Sequence, residues 1–550
     1  MAEMDRDGSP HQGEDEASAD MNHGELLKVK PRNDPISSAR HADDSDAASE
    51  DETEIERSER KKRLIDGHKS TSYIESLPAE LRFEILSWMP DLPSLQSAVH
   101  ASPVLHAQYR EHRNTILRLC LGRELDGFYV DAHVHLMSRV SILGSPRGDG
   151  TIAEFLHQYG LCLSGSPGAP DMNSPRAGDM RWMAGFHNSI ARPFARLYSN
   201  WALANLESAA TSGSTMTGMM RSPDTRAQYG TALSRSEEIR LFRAIYRYES
   251  FHHLFGRNQG RRRGGFRFYT INELFCCLFN PWEVEAIGCV DEFVRNKYTD
   301  IFKQVKDDLD PKNPKFRQSN GVLNPNGSFC LETEWDDWME GTVSRGLQTA
   351  VRMFTISNHE LLLVKMERAL TTQQQDDDSL KKTLSAIAQV GRRDVSDTFP
   401  DPRDRAEQRR DEMAFEGDAA PPDAPPFAWV LLWNGIYSNA YGEYVPESLI
   451  RTGYVFWDER RWIDEGAKNF VLKQWEGNPS YVEAILADRD WSPLEGETTT
   501  VEEFPNEDAE VSEGGEGQPG QAEDVTEPAG EWQDAGLAAS QVDNLYLLHR

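Results

Sequence analysis

The chain has 550 residues, with 59 Lys and Arg against 90 Asp and Glu, a formal net charge of −31. Residues 1–60 hold net −11 and residues 491–550 net −14, leaving −6 on the 430 residues between them. A nearly balanced body with two acidic tails argues against a basic nucleic-acid-binding face and against a polybasic membrane anchor, and no run of about 18 apolar residues is present to span a membrane.

The tails are poor in aliphatics and rich in Glu, Asp, Ser and Gly. They cannot bury enough apolar surface to offset the entropy of ordering, so residues 1–70 and 491–550 are expected to be disordered. The basic cluster Arg60, Lys61, Lys62 and Arg63 closes the first tail. It reads as solvated punctuation or as a nuclear localisation signal. Met1–Asp5 lacks an apolar signal region, so secretion is not expected. Six cysteines without zinc-finger spacing fit a reduced intracellular chain, cytoplasmic or nuclear. Ser49 before Glu50-Asp51-Glu52 is a weak acid-directed phosphorylation motif.

At Ser72 the composition turns apolar. Ser76-Leu77-Pro78-Ala79-Glu80 reads as a helix start. Leu81, Ile85 and Trp88 recur at i, i+4 and i+7 on one helix face. Pro90 and Pro93 break that helix, and Ser94 is a plausible cap for a second one with Leu95, Ala98 and Val99. Ser102-Pro103 interrupts again before a third helix with Tyr109, Ile116, Leu117, Leu119 and Leu121. Three short helices make a small bundle that is marginal alone.

Residues 123–180 read as short apolar runs between Gly/Pro-rich loops, and a helix is predicted from Trp182 to Leu206. Ser234-Arg-Ser-Glu237 is a capping-box signature, opening a helix whose Leu241, Ile245, Tyr248, His252 and Phe255 share a face. Asn280-Pro281-Trp282-Glu283 starts another, with Ile287, Val290, Val294, Tyr298 and Ile301 at helical spacing. A further helix is predicted from Trp335 to Leu370, then a disordered linker over 371–426. Last comes an aromatic-rich segment, 427–490, with Trp429, Trp433, Tyr437, Tyr441, Tyr454, Phe456, Trp457, Trp462 and Trp475. It is expected to pack back on the body as core rather than to form a recognition pocket.

Leu77-Pro-Ala-Glu-Leu-Arg-Phe-Glu-Ile-Leu-Ser-Trp-Met89, followed by Asp91-Leu-Pro-Ser-Leu95 and Ala101-Ser-Pro103, resembles an F-box, in the form common in filamentous-fungal proteins. Ile239–Tyr248, Leu254-Phe-Gly256, Asn280–Ile287 with Asp291, and Gly453–Asp458 resemble the helical body that accompanies that F-box. The resemblance implies a non-catalytic adaptor. The F-box would dock on the Skp-type adaptor of a cullin–RING ubiquitin ligase, and the body would hold a protein substrate. Position by position, it implies that Leu77, Pro78, Leu81, Ile85, Leu86, Leu92, Leu95 and Val99 form the apolar surface facing the adaptor. The alternative is that these residues pack on the chain's own body.

Two strings carry possible chemistry. Asp131-Ala-His-Val-His-Leu136 resembles the first metal motif of amidohydrolases. On a strand His133 and His135 would share a face and could reach one metal, but no strand–helix alternation supports that barrel. Arg261, Arg262, Arg263 and Arg267 among glycines and phenylalanines could bind phosphate, a nucleic-acid strand or an acidic segment, or could be an exposed loop. There is no Gly-Lys pair for a phosphate loop, and no HExxH or GxSxG.

The expectation is therefore a mainly α protein: an F-box-like bundle over 71–122, a helical body over 123–370, the linker, the aromatic segment and two acidic tails. Its expected role is a ubiquitin-ligase substrate receptor without catalytic residues, cofactor or metal. A non-degradative F-box scaffold and a metal-dependent hydrolase built on His133 and His135 are the alternatives.

Overall fold

Caps and prolines set the N-terminal helices. The computed structural model describes residues 73–143, 148–167, 169, 176–212, 232–256, 266–309, 335–370, 379–385 and 402–475. Pro78 leads into α1 (Ala79–Ser87). Asp91, rather than Ser94, caps α2 (Leu92–Ala101), its carboxylate accepting the Ser94 amide at 2.7 Å. Ser102 accepts the Val104 and Leu105 amides ahead of α3 (Pro103–Glu124), which kinks at His112. Both α1 and α2 pack on α3.

Residues 123–180 are more regular than the sequence suggests, forming α4 (Tyr129–Met137) and α5 (Asp149–Leu163). The helix expected from Trp182 is α6 (Ala177–Phe186) joined by a π-helical stretch, His187–Ala191, to α7 (Arg192–Ser212). The capping box forms as read. Ser234 Oγ accepts the Glu237 amide at 3.2 Å, and Glu237 accepts the Ser234 amide at 3.0 Å. It opens α8 (Arg235–Phe255), whose Leu241, Ile245, Tyr248, His252 and Phe255 are all buried. After α9 (Phe268–Leu274), Glu283 reaches back to the Asn280 amide at 3.0 Å to start α10 (Pro281–Leu309), the long helix beside α8.

The single helix expected over 335–370 is three: α11 (Trp335–Val343), α12 (Leu347–Phe354) and α13 (His359–Ala369). The first break is Gly346 at φ +77°, where a Cβ would meet the Glu249 carboxylate at 2.5 Å. Asn358 makes the second by capping α13 through the Leu361 amide.

The linker expectation also needs correction where it is described. Leu380 and Leu384 of α14 (Leu380–Ser385) are buried, and α14 lies on α9. Within α15 (Pro402–Gln408) Glu407 accepts the Asn439 amide at 3.0 Å, and Arg403 donates to the Phe279 carbonyl. Apolar anchors and ion-to-backbone bonds hold segments that composition alone presents as spacer. Residues 371–378 and 386–401 lie outside the described residues, as do both tails, the basic cluster at 60–63, the phosphorylation motif at Ser49 and Arg261–Arg263.

The aromatic segment is core over much of its described part, and residues 476–490 lie outside the described residues. Trp429 on α16 (Phe427–Leu432), Tyr454, Phe456, Trp457 and Trp462 are fully buried, and α17 (Glu465–Leu472) packs on α7. The fold is mainly helical, with no strand among the described residues beyond one isolated bridge, Glu412–Ile436. No described helix is long and apolar enough to cross a membrane. One core runs from Leu86 to Val471, within a compact unit that begins at Ser72.

Buried ions close this core. Arg461 donates through Nε and Nη2 to Glu237 at 2.9 and 2.8 Å, with both side chains 0 % exposed. Glu285 on α10 accepts the Gly442 amide at 2.7 Å. Burial pushes its carboxyl up to about 7, and the Gly442 bond offsets this only in part. Its folded pKa lies above the unfolded value near 4.5, so the folded state binds the extra proton. Stability is therefore fully present below about pH 4.5 and is lost as pH rises towards 7, by up to about 3 kcal/mol. Glu285→Gln keeps an acceptor for Gly442 and removes the charge. It is expected to be more stable than wild type at pH 8 and about equal to it at pH 4.5 in urea denaturation; a difference independent of pH would contradict the argument.

Candidate functional site: an exposed apolar face on the first helix

Helix α1 is apolar on two sides. Leu86 points into the bundle and is buried, with Phe83 and Met89 half-buried against the core. Leu81, Ile85 and Trp88 fall within about 60° of one another at 3.6 residues per turn, on a different side. There Leu81 is 50 % exposed and Trp88 67 %, Ile85 is half-buried, and Ile74 at 45 % and Tyr73 at 93 % precede them. Leu77 is half-buried and Pro78 exposed. Single exposed apolar residues are ordinary on protein surfaces, but several on one side of a short helix are the pattern of a candidate docking surface.

The eight residues that the resemblance assigns to an adaptor surface therefore divide. Leu77, Pro78, Leu81 and Ile85 contribute to the accessible face. Leu86, Leu92, Leu95 and Val99 are 0–4 % exposed and pack inside the bundle on α3. Periodicity shows that a helix side is apolar; it does not show whether the chain itself covers that side. Trp88, which the spacing puts on this side with Leu81 and Ile85, is not among the eight, and the exposed Tyr73 and Ile74 precede the helix in the apolar run that begins at Ser72.

Hydrogen bonds hold both ends of α1. Glu84 accepts the Trp88 indole N–H at 3.0 Å. Arg82 donates to the Glu75 carbonyl at 3.2 Å and to the Leu77 carbonyl, fixing the segment before α1. Glu75 in turn accepts the Ser102 hydroxyl at 2.6 Å. Arg123 donates to the carbonyls of Met89 (2.9 Å) and Ser87, closing the end of α1.

Behind the face, Glu124 joins the bundle to the body. It accepts the Leu92 amide at 2.9 Å, His187 Nε2 at 3.0 Å and Arg192 at 2.6 Å, while His187 Nδ1 meets the Tyr246 hydroxyl at 3.1 Å. Burial favours the neutral acid. The His187 and Leu92 bonds and the Arg192 charge outweigh it and hold the Glu124 carboxyl down at about 2.

His133 and His135 do not share a ligand position. Their segment is α4, a helix and not a strand, so residues two apart point about 200° away from each other. His133 is half-buried and stacks on Tyr129. His135 is buried among Trp182, Phe186 and Tyr246. No family model matches the chain, and neither the curated proteins nor the solved structures contain a match.

Proposed function

We propose that this chain is an F-box-type substrate receptor, which docks a Skp-type adaptor on the Leu77–Trp88 face and presents a protein substrate on its helical body. The observation that supports this reading is the accessible strip of Leu77, Pro78, Leu81, Ile85 and Trp88 at the start of the folded unit, on a helix whose other side is committed to the core. An amphipathic partner helix would cover such a strip. The role would need no catalytic residue: a bound target gains effective concentration beside an activated ubiquitin carrier.

The test is a pulldown of the full chain with the Skp-type adaptor from the same source. Wild type is expected to bind. The triple variant Leu77→Ala, Pro78→Ala, Leu81→Ala, and separately Leu81→Glu, are expected to lose at least about tenfold in affinity with thermal midpoints near wild type, because Leu81 is half exposed. Absence of wild-type binding, or equal binding by all three proteins, would remove the proposal. Ubiquitin transfer to a captured partner, in an assembly rebuilt with the cullin, distinguishes a receptor from a scaffold.

A further inference from the structure

Near the end of α4, a second group of side chains lies apart from the docking face. His135, Glu249 and His253 each offer one donor atom, and the three atoms lie within 4.8 Å of one another. His135 is 0 % exposed, and neither of its ring nitrogens has a hydrogen-bond partner among the described residues. A buried imidazole always carries one N–H and one lone pair, or two N–H groups, and leaving them unsatisfied is costly.

The neighbours fix how the other two are aimed. The hydroxyl of Ser138 has one proton and donates it to the His135 carbonyl at 2.8 Å. His253 Nδ1, 2.9 Å from the same oxygen, is therefore the donor to Ser138. That leaves His253 Nε2 directed at Glu249 Oε1 across 3.7 Å. The gap is too long for a hydrogen bond. It is close to the separation of about 3.4 Å between two ligands of one tetrahedral zinc with bonds near 2.0–2.1 Å. The other Glu249 oxygen is held by the Leu347 amide at 2.5 Å, so both His253 and Glu249 have the second partner that orients metal ligands.

We propose that His135, Glu249 and His253 bind one divalent cation of the zinc class, through two imidazoles and one carboxylate, with water in the fourth position. The ion ties α4 to the end of α8. The His135 and His253 rings now stack at 4.8 Å with 22° between their planes, so the His135 ring turns within its aromatic surround to complete the set. Arg139, whose charge opposes an ion here, faces Asp179 at 3.6 Å and lies over the Trp182 ring. Neither HExxH-type spacing nor the His133–His135 pair signals this site, because its ligands come from two helices.

The test uses the full chain, stripped with a chelator, equilibrated with zinc and desalted. Wild type is expected to retain about one equivalent, and His253→Gln and Glu249→Gln less than about 0.2. Zinc is expected to raise the melting temperature of wild type alone. X-ray absorption at the zinc edge of wild type adds a readout that does not depend on variants folding: nitrogen and oxygen scatterers only are expected. No cysteine belongs to the proposed ligand set, so sulfur near 2.3 Å would overturn the assignment. So would variants that keep the metal, or wild type retaining less than about 0.1 equivalent, which would mean that His253 and Glu249 are an ion pair alone.

Discussion

Arg247→Met is expected to destabilise the protein by about 3–5 kcal/mol, because removing one partner of a buried ion pair leaves the rest uncompensated. Arg247 is 3 % exposed and stands where α4, α5, α8 and α10 meet. Its Nε donates to Asp131 at 2.8 Å and its Nη1 to Glu283 at 2.8 Å, while Tyr159 of α5 donates to the same Asp131 oxygen. The guanidinium also lies over the Phe279 ring at 4.2 Å. Burial opposes its charge, but Asp131 and Glu283 more than restore it. Methionine fills similar volume, so the loss would report charge rather than a cavity. Glu283 retains Arg243 at 3.5 Å, whereas Asp131 pairs with no second cation among the described residues. The triple variant Asp131→Asn, Glu283→Gln, Arg247→Met is therefore expected to be more stable than Arg247→Met, since it deletes the stranded charges as well. Urea midpoints at constant slope measure both. A single variant within about 1 kcal/mol of wild type would show that the three charges are not coupled.

Gly442→Ala is the second large effect. Gly442 sits at φ +66°, and a Cβ there would meet the Leu384 carbonyl oxygen at 2.3 Å and its carbon at 3.1 Å. Alanine adds left-handed strain of about 1–2 kcal/mol and an overpacking cost of about 1–3 kcal/mol. The obstacle is backbone and cannot rotate away. Relief would move either α14 or the Gly442 amide that Glu285 accepts. Gly417 provides the control, since its φ is +94° and nothing lies within 4 Å of its Cβ position. Gly417→Ala should cost only the conformational part. Equal losses at the two positions would mean that α14 does not press on Gly442.

Local chemistry made much of the fold readable. The Ser234–Glu237 box and the Leu241-to-Phe255 face are written in residues a turn or two apart, and they form as written. What was not readable depends on residues far along the chain. Gly346 breaks a helix-like run by turning to φ +77°, at a place where Glu249, on another element, leaves no room for a side chain. The acidic, proline-bearing stretch around Asp404 and Glu407 looks like spacer until Asn439 is brought against it. The candidate docking face was half legible. Leu81, Ile85 and Trp88 announce an apolar side, but only packing shows that Leu86, Leu92, Leu95 and Val99 are spent inside. Asp131-to-Leu136 illustrates the reverse error. A strand-based reading pairs His133 with His135, whereas a helix sends them apart and leaves His135 facing His253.

The Glu237–Arg461 pair also places the fold in the time of protein synthesis. Its members are 224 residues apart. At about 5–20 residues per second, a ribosome needs roughly 10–45 s to travel from one to the other. The capping box can form as soon as Ser234 to Glu237 emerge, because it is local. The guanidinium that satisfies Glu237 arrives last, together with Trp457, Trp462 and the helix that covers α7. A nascent chain stalled before Arg461 thus presents a Glu237 carboxylate that has the Ser234 amide but lacks the guanidinium that neutralises it. For this protein, the stretch from Trp457 to Leu472 decides whether the residues before it are finished or are a client for chaperones.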